Sequence, residues 1–212
     1  MGIYNNGPYS GFSGRVGNLV GSTWRDKEVM RTRPKYRRNR KKSPAQEAQQ
    51  AKFSMAAKLT GYLSNLIKES YGKADRNKAN NKAYQEILQS VIGGVYPNLT
   101  IDYSKLPVAK GIISKAWNPA ADSLVPGRVK FTWEDSSLFL KADPNDLVLL
   151  VVFCEEVGEL LYASSGALRS DREDEMNISL LSGKEVHTWI SFFDSNKEFA
   201  ANSVYTGVVT VL

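Results

Sequence analysis

The sequence predicts an α+β protein: an N-terminal glycine-rich β-hairpin, an αα-hairpin, and a C-terminal antiparallel β-sandwich. Three observations carry this. Gly11, Gly14, Gly17 and Gly21 punctuate the first segment at spacings of three, three and four residues. Two stretches with apolar residues at helical spacing follow. From Leu99 onward, short alternating runs recur between Pro, Gly, Asn and Asp, the mark of an all-β unit. The expected segments are 1–42, 43–98 and 99–212.

The first segment is read as strands around a turn. Val16 and Val20 fall on one face of a strand, and Gly17, Leu19 and Gly21 on the other. A face lacking side chains lets another element pack directly on the backbone. Val29 and Met30 continue on a return strand, with Trp24 to Lys27 near the turn. The glycines match neither a dinucleotide fingerprint nor a P-loop, because no Gly-Lys-Ser/Thr and no enclosing βαβ unit are present. The arm 1–10 has few core-forming residues, and its Tyr4 and Tyr9 are amphipathic aromatics of the kind interfaces favour.

Pro34 ends the return strand and a dense basic run follows, from Lys35 to Lys42. Like charges keep such a run extended and solvated. Ser43-Pro44-Ala45-Gln46 then reads as a helix start, with Ser43 as cap and Pro44 in the first turn. Phe53, Ala56, Ala57, Leu63, Ile67 and Tyr71 define its apolar face, widened by Leu59 and Leu66. Gly72 is the expected stop. Ala83, Tyr84, Ile87, Leu88, Val91 and Ile92 mark a second amphipathic helix, ended by Gly93-Gly94. The apolar sides of these helices would cover one another or the glycine-rich strands.

Eight candidate strands follow: 99–103, 111–116, 128–133, 146–154, 160–164, 176–181, 186–194 and 203–212. Asn118-Pro119, Pro126-Gly127, Asp143-Pro144-Asn145 and Ser182-Gly183 serve as separators. Short strands at this spacing argue for a sandwich of immunoglobulin or fibronectin type III character, with Trp133 and Trp189 as core aromatics.

Composition limits the chemistry. The 212 residues are 42% hydrophobic and 24% charged, ordinary for a globular chain with a real core. Cys154 is the single cysteine and His187 the single histidine, so neither a disulfide nor an ordinary zinc site forms within one chain. No nucleophile-elbow motif accompanies His187, and Glu155-Glu156-Glu159 and Asp171-Glu173-Asp174-Glu175 lack EF-hand spacing. The expectation is a non-enzymatic protein with no catalytic residues, no cofactor and no metal. The longest apolar run, Leu147 to Cys154, is too short to span a bilayer. MGIYNNGPYS has no signal-peptide pattern, so the expectation is cytoplasmic synthesis, then a place in an assembled particle or non-classical export.

The net charge of +6 hides a gradient. Residues 1–45 carry eleven Lys/Arg and two Asp/Glu; residues 119–212 carry seven and fifteen. A basic end seeks polyanions, an acidic partner, or the acidic end of another copy.

Taken as blocks, the chain resembles the Bacteroidota domain-of-unknown-function family 6266. The resemblance rests on Gly11 to Gly17, Val20-Gly21-Ser22-Thr23-Trp24, the exit Met30-Arg31-Thr32-Arg33-Pro34, and Gln46 to Phe53. It continues through Tyr96 to Tyr103, Phe131-Thr132-Trp133, and Asn202 to Gly207. Arg25-Asp26 stands where that family has Lys-Gly, and the run 35–42 is unusually basic. The resemblance implies a Gly-rich hairpin and a β domain, and no activity.

Three function classes follow, in order. The first is a structural or assembly protein that self-associates, as a filament or larger particle of cellular or phage origin. Its candidate interface is Tyr4, Tyr9, Gly11, Gly14, Gly17, Gly21 and Trp24. The second is a nucleic-acid-binding protein using residues 25–42, with Arg31, Arg33, Lys35, Arg37, Arg38, Arg40, Lys41 and Lys42 on the polyanion. The third is a carbohydrate- or protein-binding module using sandwich loops.

Overall fold

A computed structural model describes residues 2–3, 10–34, 41–71, 78–135, 141–164 and 166–212. The chain forms two compact units, Met1–Ser43 and Pro44–Leu212. The expected segments 43–98 and 99–212 therefore share one unit.

The first unit is a four-stranded antiparallel sheet. Its strands are β1 (Gly2–Ile3), β2 (Gly14–Val16), β3 (Leu19–Trp24) and β4 (Lys27–Thr32), in the order β1-β4-β3-β2. Two corrections to the sequence reading arise here. Residues 16–21 are not one strand: Val16 pairs with Leu19 across a two-residue turn at Gly17-Asn18, where Gly17 sits at φ 55°. Val16 and Leu19 thus share a face instead of opposing each other. The arm also supplies a strand that the sequence reading did not give, because Gly2 and Ile3 pair with Met30 and Val29 along the edge of β4.

The β3–β4 turn is Arg25-Asp26, with both residues at positive φ (48° and 61°). This is the type I′ requirement, which Asn-Gly meets best. Asp26→Gly should relieve a left-handed residue worth up to about 1 kcal/mol. The expected result is slower amide hydrogen exchange across β3 and β4.

The second unit is built in three layers. Helix α1 (Pro44–Ser70) is followed by α2 (Ala79–Glu86), which continues as a wider π-type turn over Ile87–Val91. Gly93-Gly94 does not cap this helix. The chain turns into strand at Ile92, and β5 (Ile92–Val95) pairs with β6 (Asn98–Ile101) as a separate two-stranded sheet. The expected strand at 99–103 therefore belongs to this hairpin and not to the sandwich.

The sandwich begins at Trp117. Its sheets are β10-β9-β12-β13 and β11-β8-β7, all antiparallel. The strands are β7 (Trp117–Asp122), β8 (Arg128–Glu134), β9 (Leu147–Cys154), β10 (Glu159–Ala163), β11 (Glu173–Asn177), β12 (Glu185–Phe193) and β13 (Val204–Thr210). The expected strand at 111–116 does not form, leaving one isolated bridge between Ile113 and Ala201. β7 instead runs through Asn118-Pro119, expected to be a separator. A register shift between Trp117 and Ala120 absorbs Pro119 on this edge strand. The strand expected at 176–181 lies earlier, with Ser179–Leu181 a 3₁₀ turn.

Alternation along β9 explains the layers. Val148, Leu150, Val152 and Cys154 face the second sheet with Val129, Phe131, Trp133, Ile190 and Phe192. Leu149, Val151 and Phe153 face the helices, packing with Leu59, Leu63, Leu66, Ile67 and Ile87. This strand is buried on both sides, so its run is apolar throughout. Trp133 and Trp189 are both buried, but Trp189 belongs to the helix-side core. The apolar helix faces thus cover the outer side of the four-stranded sheet.

Candidate functional site

The first unit concentrates what the fold does not use. Register assigns its side chains to two faces. One face holds Gly14 and Val16 of β2, Leu19, Gly21 and Thr23 of β3, and Glu28, Met30 and Thr32 of β4. The opposite face holds Arg15, Val20, Ser22, Trp24, Lys27, Val29, Arg31 and Ile3.

The first face mixes Val16, Leu19 and Met30 with Thr23, Glu28 and Thr32, and is partly covered by its own chain. A Cβ on Gly21 would lie 2.5 Å from the Phe12 ring, so only glycine lets Phe12 seat there. Gly21 is therefore buried beneath Phe12 and is not an open backbone surface, contrary to expectation. Gly11 N–H donates to Glu28 Oε1 at 2.6 Å, pinning the approach to Phe12. Val16 and Leu19 remain 64% and 42% exposed beside it.

The second face is cationic at its two ends, and Val29 in the row between them is 1% exposed, so the face is covered at its middle. Arg15, Val20 and Arg31 form one row across three strands, and Trp24 pairs with Lys27 in another. Arg33 follows with the same parity, its N–H donating to Asn18 O at 2.8 Å. The Arg25 guanidinium lies 4.8 Å from the centroid of the Trp24 ring. No acidic residue of the strands falls on this face, since Glu28 is on the other. Among the described residues, no ion pair engages Arg15, Lys27, Arg31 or Arg33. The sandwich differs: Arg128, Lys130, Arg172 and Lys184 pair with Glu175, Glu173, Asp135 and Glu156.

Of the expected interface, Gly14, Gly21 and Trp24 lie in strands of this sheet, with Gly21 covered, while Gly17 is in the β2–β3 turn and Gly11 in the turn ahead of β2. Tyr4 and Tyr9 lie outside the described residues. Of the polyanion set, Arg31 and Arg33 are on the cationic face, and Lys41 and Lys42 are exposed ahead of α1. Lys35, Arg37, Arg38 and Arg40 lie outside the described residues. Sequence reasoning passed over Arg15. Recognising Gly17-Asn18 as a turn would have paired it with Val20 and placed it in one row with Arg31.

Elsewhere the reactive side chains are occupied. His187 stacks on Tyr103 at 3.8 Å and its Nδ1 lies 2.8 Å from the Tyr205 hydroxyl. Burial pushes its pKa down, against the pull of Glu155 and Glu185. Cys154 is buried between the sheets. A cleft of about 380 Å³ at the loop end of the sandwich is lined by Ile112, Phe199, Lys141, Asp143, Asp146 and Asp194. Its carboxylates hold the loops: Asp146 pairs with Arg169, Asp143 accepts from Asn145, and Asp194 accepts from the N–H groups of Glu198 and Phe199. Among the described residues no cluster of three metal-ligating side chains occurs, and no helix is long and apolar enough to cross a membrane.

A family model described as a family of unknown function (DUF6266) matches residues 11–207. No curated protein matches the chain. Similar solved structures include the fn3 domain of the human collagen alpha-1(XX) chain, at 12% identity and TM-score 0.37. That match covers 49% of this chain and 90% of the other. The chicken CNTN1 FN1-FN3 domains match at 9% identity and TM-score 0.36, covering 48% of this chain and 35% of the other.

Proposed function

The chain belongs to the family of unknown function DUF6266, and we propose that it is a non-enzymatic structural protein that assembles with other copies of itself through its N-terminal unit. One observation carries this reading: that unit has almost no core of its own. Among the described residues Val29 is its only buried large apolar side chain, while Ile3, Val16, Leu19 and Trp24 stay exposed. Units of about 40 residues usually need disulfides, metals or association to be stable. This one has no cysteine.

The surface for association is the face carrying Val16 and Leu19, next to the outer edge strand β2. Among the described residues no strand pairs with the outer side of this three-residue edge, which invites a further strand. The acidic C-terminal third of a neighbour complements the basic N-terminal unit, which sets polarity and on-rate more than affinity. A head-to-tail contact of this kind propagates unless rotation closes it into a ring.

The second unit serves as the body. We infer that its sandwich is of the fibronectin type III kind, with β9, β10, β12 and β13 in one sheet and β11 joining β8 and β7 in the other. The helices occupy the outer face of the larger sheet, which leaves the ends and edges for contacts.

Light scattering coupled to size-exclusion chromatography at low salt tests this. Full-length protein is expected to associate. Val16→Asp with Leu19→Asp should weaken association at least about a hundredfold, since two carboxylates would be buried unpaired. Deleting residues 1–10 should leave the sandwich folded and abolish the assembly. A full-length protein that stays monomeric at high concentration ends the proposal.

A further inference from the structure

We propose that the cationic face of the N-terminal sheet binds single-stranded nucleic acid, independently of the opposite face used for assembly. The juxtaposition is specific. Arg15 and Arg31 flank Val20 in one row, Lys27 neighbours Trp24 in another, and Arg33 extends the same side. Arg31 and Arg33 stand about 7 Å apart along the strand, Lys27 about 14 Å from Arg31 with the buried Val29 between them, and Arg15 and Arg31 about 10 Å apart across it. An extended phosphodiester chain can run along the Arg15, Arg31 and Arg33 end of the face, one phosphate to each cation. A duplex would present its phosphates in a rigid, convex array that a small sheet meets at few points.

Trp24 adds what a plain cationic surface lacks. It is 56% exposed, and Arg25 lies against its ring. An exposed indole beside phosphate-binding cations is a stacking platform for a base, and Arg25 can add a cation–π contribution. The face carries no carboxylate from the strands to repel phosphate. The sandwich cations, by contrast, largely serve internal ion pairs.

The test measures fluorescence anisotropy of a labelled oligothymidylate with full-length protein across a salt series, with heparin as a polyanion lacking bases. Wild-type protein should bind at low salt, with log K falling linearly against log salt. Arg15→Ser with Arg31→Ser should flatten that slope by about 1.4, given ~0.7 per phosphate contact on single strands. Arg31→Lys should keep it. Trp24→Ala should weaken oligothymidylate binding about 5- to 150-fold and leave heparin binding unchanged. Val16→Asp with Leu19→Asp should retain binding while losing assembly, which separates the two readings. Circular dichroism and melting of each variant check the fold. Absence of oligothymidylate binding at low salt overturns the proposal. So does an unchanged slope in the double-Ser variant, which would move the contact to the basic run. Equal loss on heparin with Trp24→Ala would reduce the face to an unspecific cationic surface and reject stacking. Loss of binding in a folded Val16→Asp/Leu19→Asp protein would reject independence from the opposite face.

Discussion

Arg169→Met is expected to destabilise the Pro44–Leu212 unit by about 3–5 kcal/mol, lowering its Tm by roughly 6–20 °C. The Arg169 side chain is fully buried and that of Asp146 is 4% exposed, with Nη2 and Nε at 2.9 and 3.0 Å from Oδ2. The guanidinium also donates to Ser114 O at 2.8 Å and lies 3.8 Å from the centroid of the Phe192 ring. Burial pulls its pKa down and Asp146 pulls it back up. Removing the cation leaves a carboxylate without its counter-charge, with the Asp143 N–H still donating to it at 3.1 Å.

The cost lies mostly in that stranded charge and less in the value of the pair. Pairing Arg169→Met with Asp146→Leu should therefore recover a large part of the loss, because an apolar pair of similar volume avoids the desolvation penalty. Urea unfolding of the two single variants and the double variant closes the cycle. A single variant that loses under about 1 kcal/mol would mean that water reaches the pair. The backbone of Arg169 is used as well: its carbonyl accepts from Trp133 Nε1 at 2.8 Å. The pair thus fixes the loop before β11 against the strands on both sides.

Nothing in the sequence marks this pair. Arg169 and Asp146 sit 23 positions apart among charged neighbours that read as solvated loop. Strands β8, β9, β10, β12 and β13 were legible to within a residue or two because apolar alternation or continuous burial bounds them. β11 was not. Its Glu173-Asp174-Glu175 looks like a loop, yet on an edge strand Glu173 and Glu175 pair across with Lys130 and Arg128. Charge on an edge is a protection against further pairing, not evidence against a strand. Asn118-Pro119 misled in the other direction, since a proline is tolerated where an edge and a bulge coincide.

The N-terminal unit shows the same limit at finer scale. Of its glycines only Gly21 meets a close approach, from Phe12, while Gly17 serves a turn and Gly11 and Gly14 have nothing within 4 Å of a Cβ position. A single misplaced turn reverses the faces, because side chains alternate with period two. Reading 16–21 as one strand hid the separation of Val16 and Leu19 from Arg15 and Arg31. That separation underlies both the assembly and the nucleic-acid proposals.

Leu63→Ala is expected to cost about 2–5 kcal/mol, whereas Phe53→Ala should change stability by about 0.5 kcal/mol or less. Composition alone ranks them the other way, since Phe53 is the larger side chain and shares the periodic face. Phe53, however, is 43% exposed in the first half of α1, where most residues face solvent. Leu63 is 1% exposed and belongs to the cluster in which Leu59, Leu66 and Ile67 meet β9 and β12. The buried stripe, from Ala56 to Ser70, is thus shorter than the helix. Below Leu63, Ser70 Oγ donates to Val108 O and Tyr71 to Pro107 O, so the lower end of α1 cannot slide to refill the cavity. Denaturant midpoints with unchanged m-values would check the ranking. Equal losses at the two positions would mean that the helix layer is not docked on the sheet. β9 would then have one solvated face, which its uninterrupted burial from Val148 to Cys154 argues against.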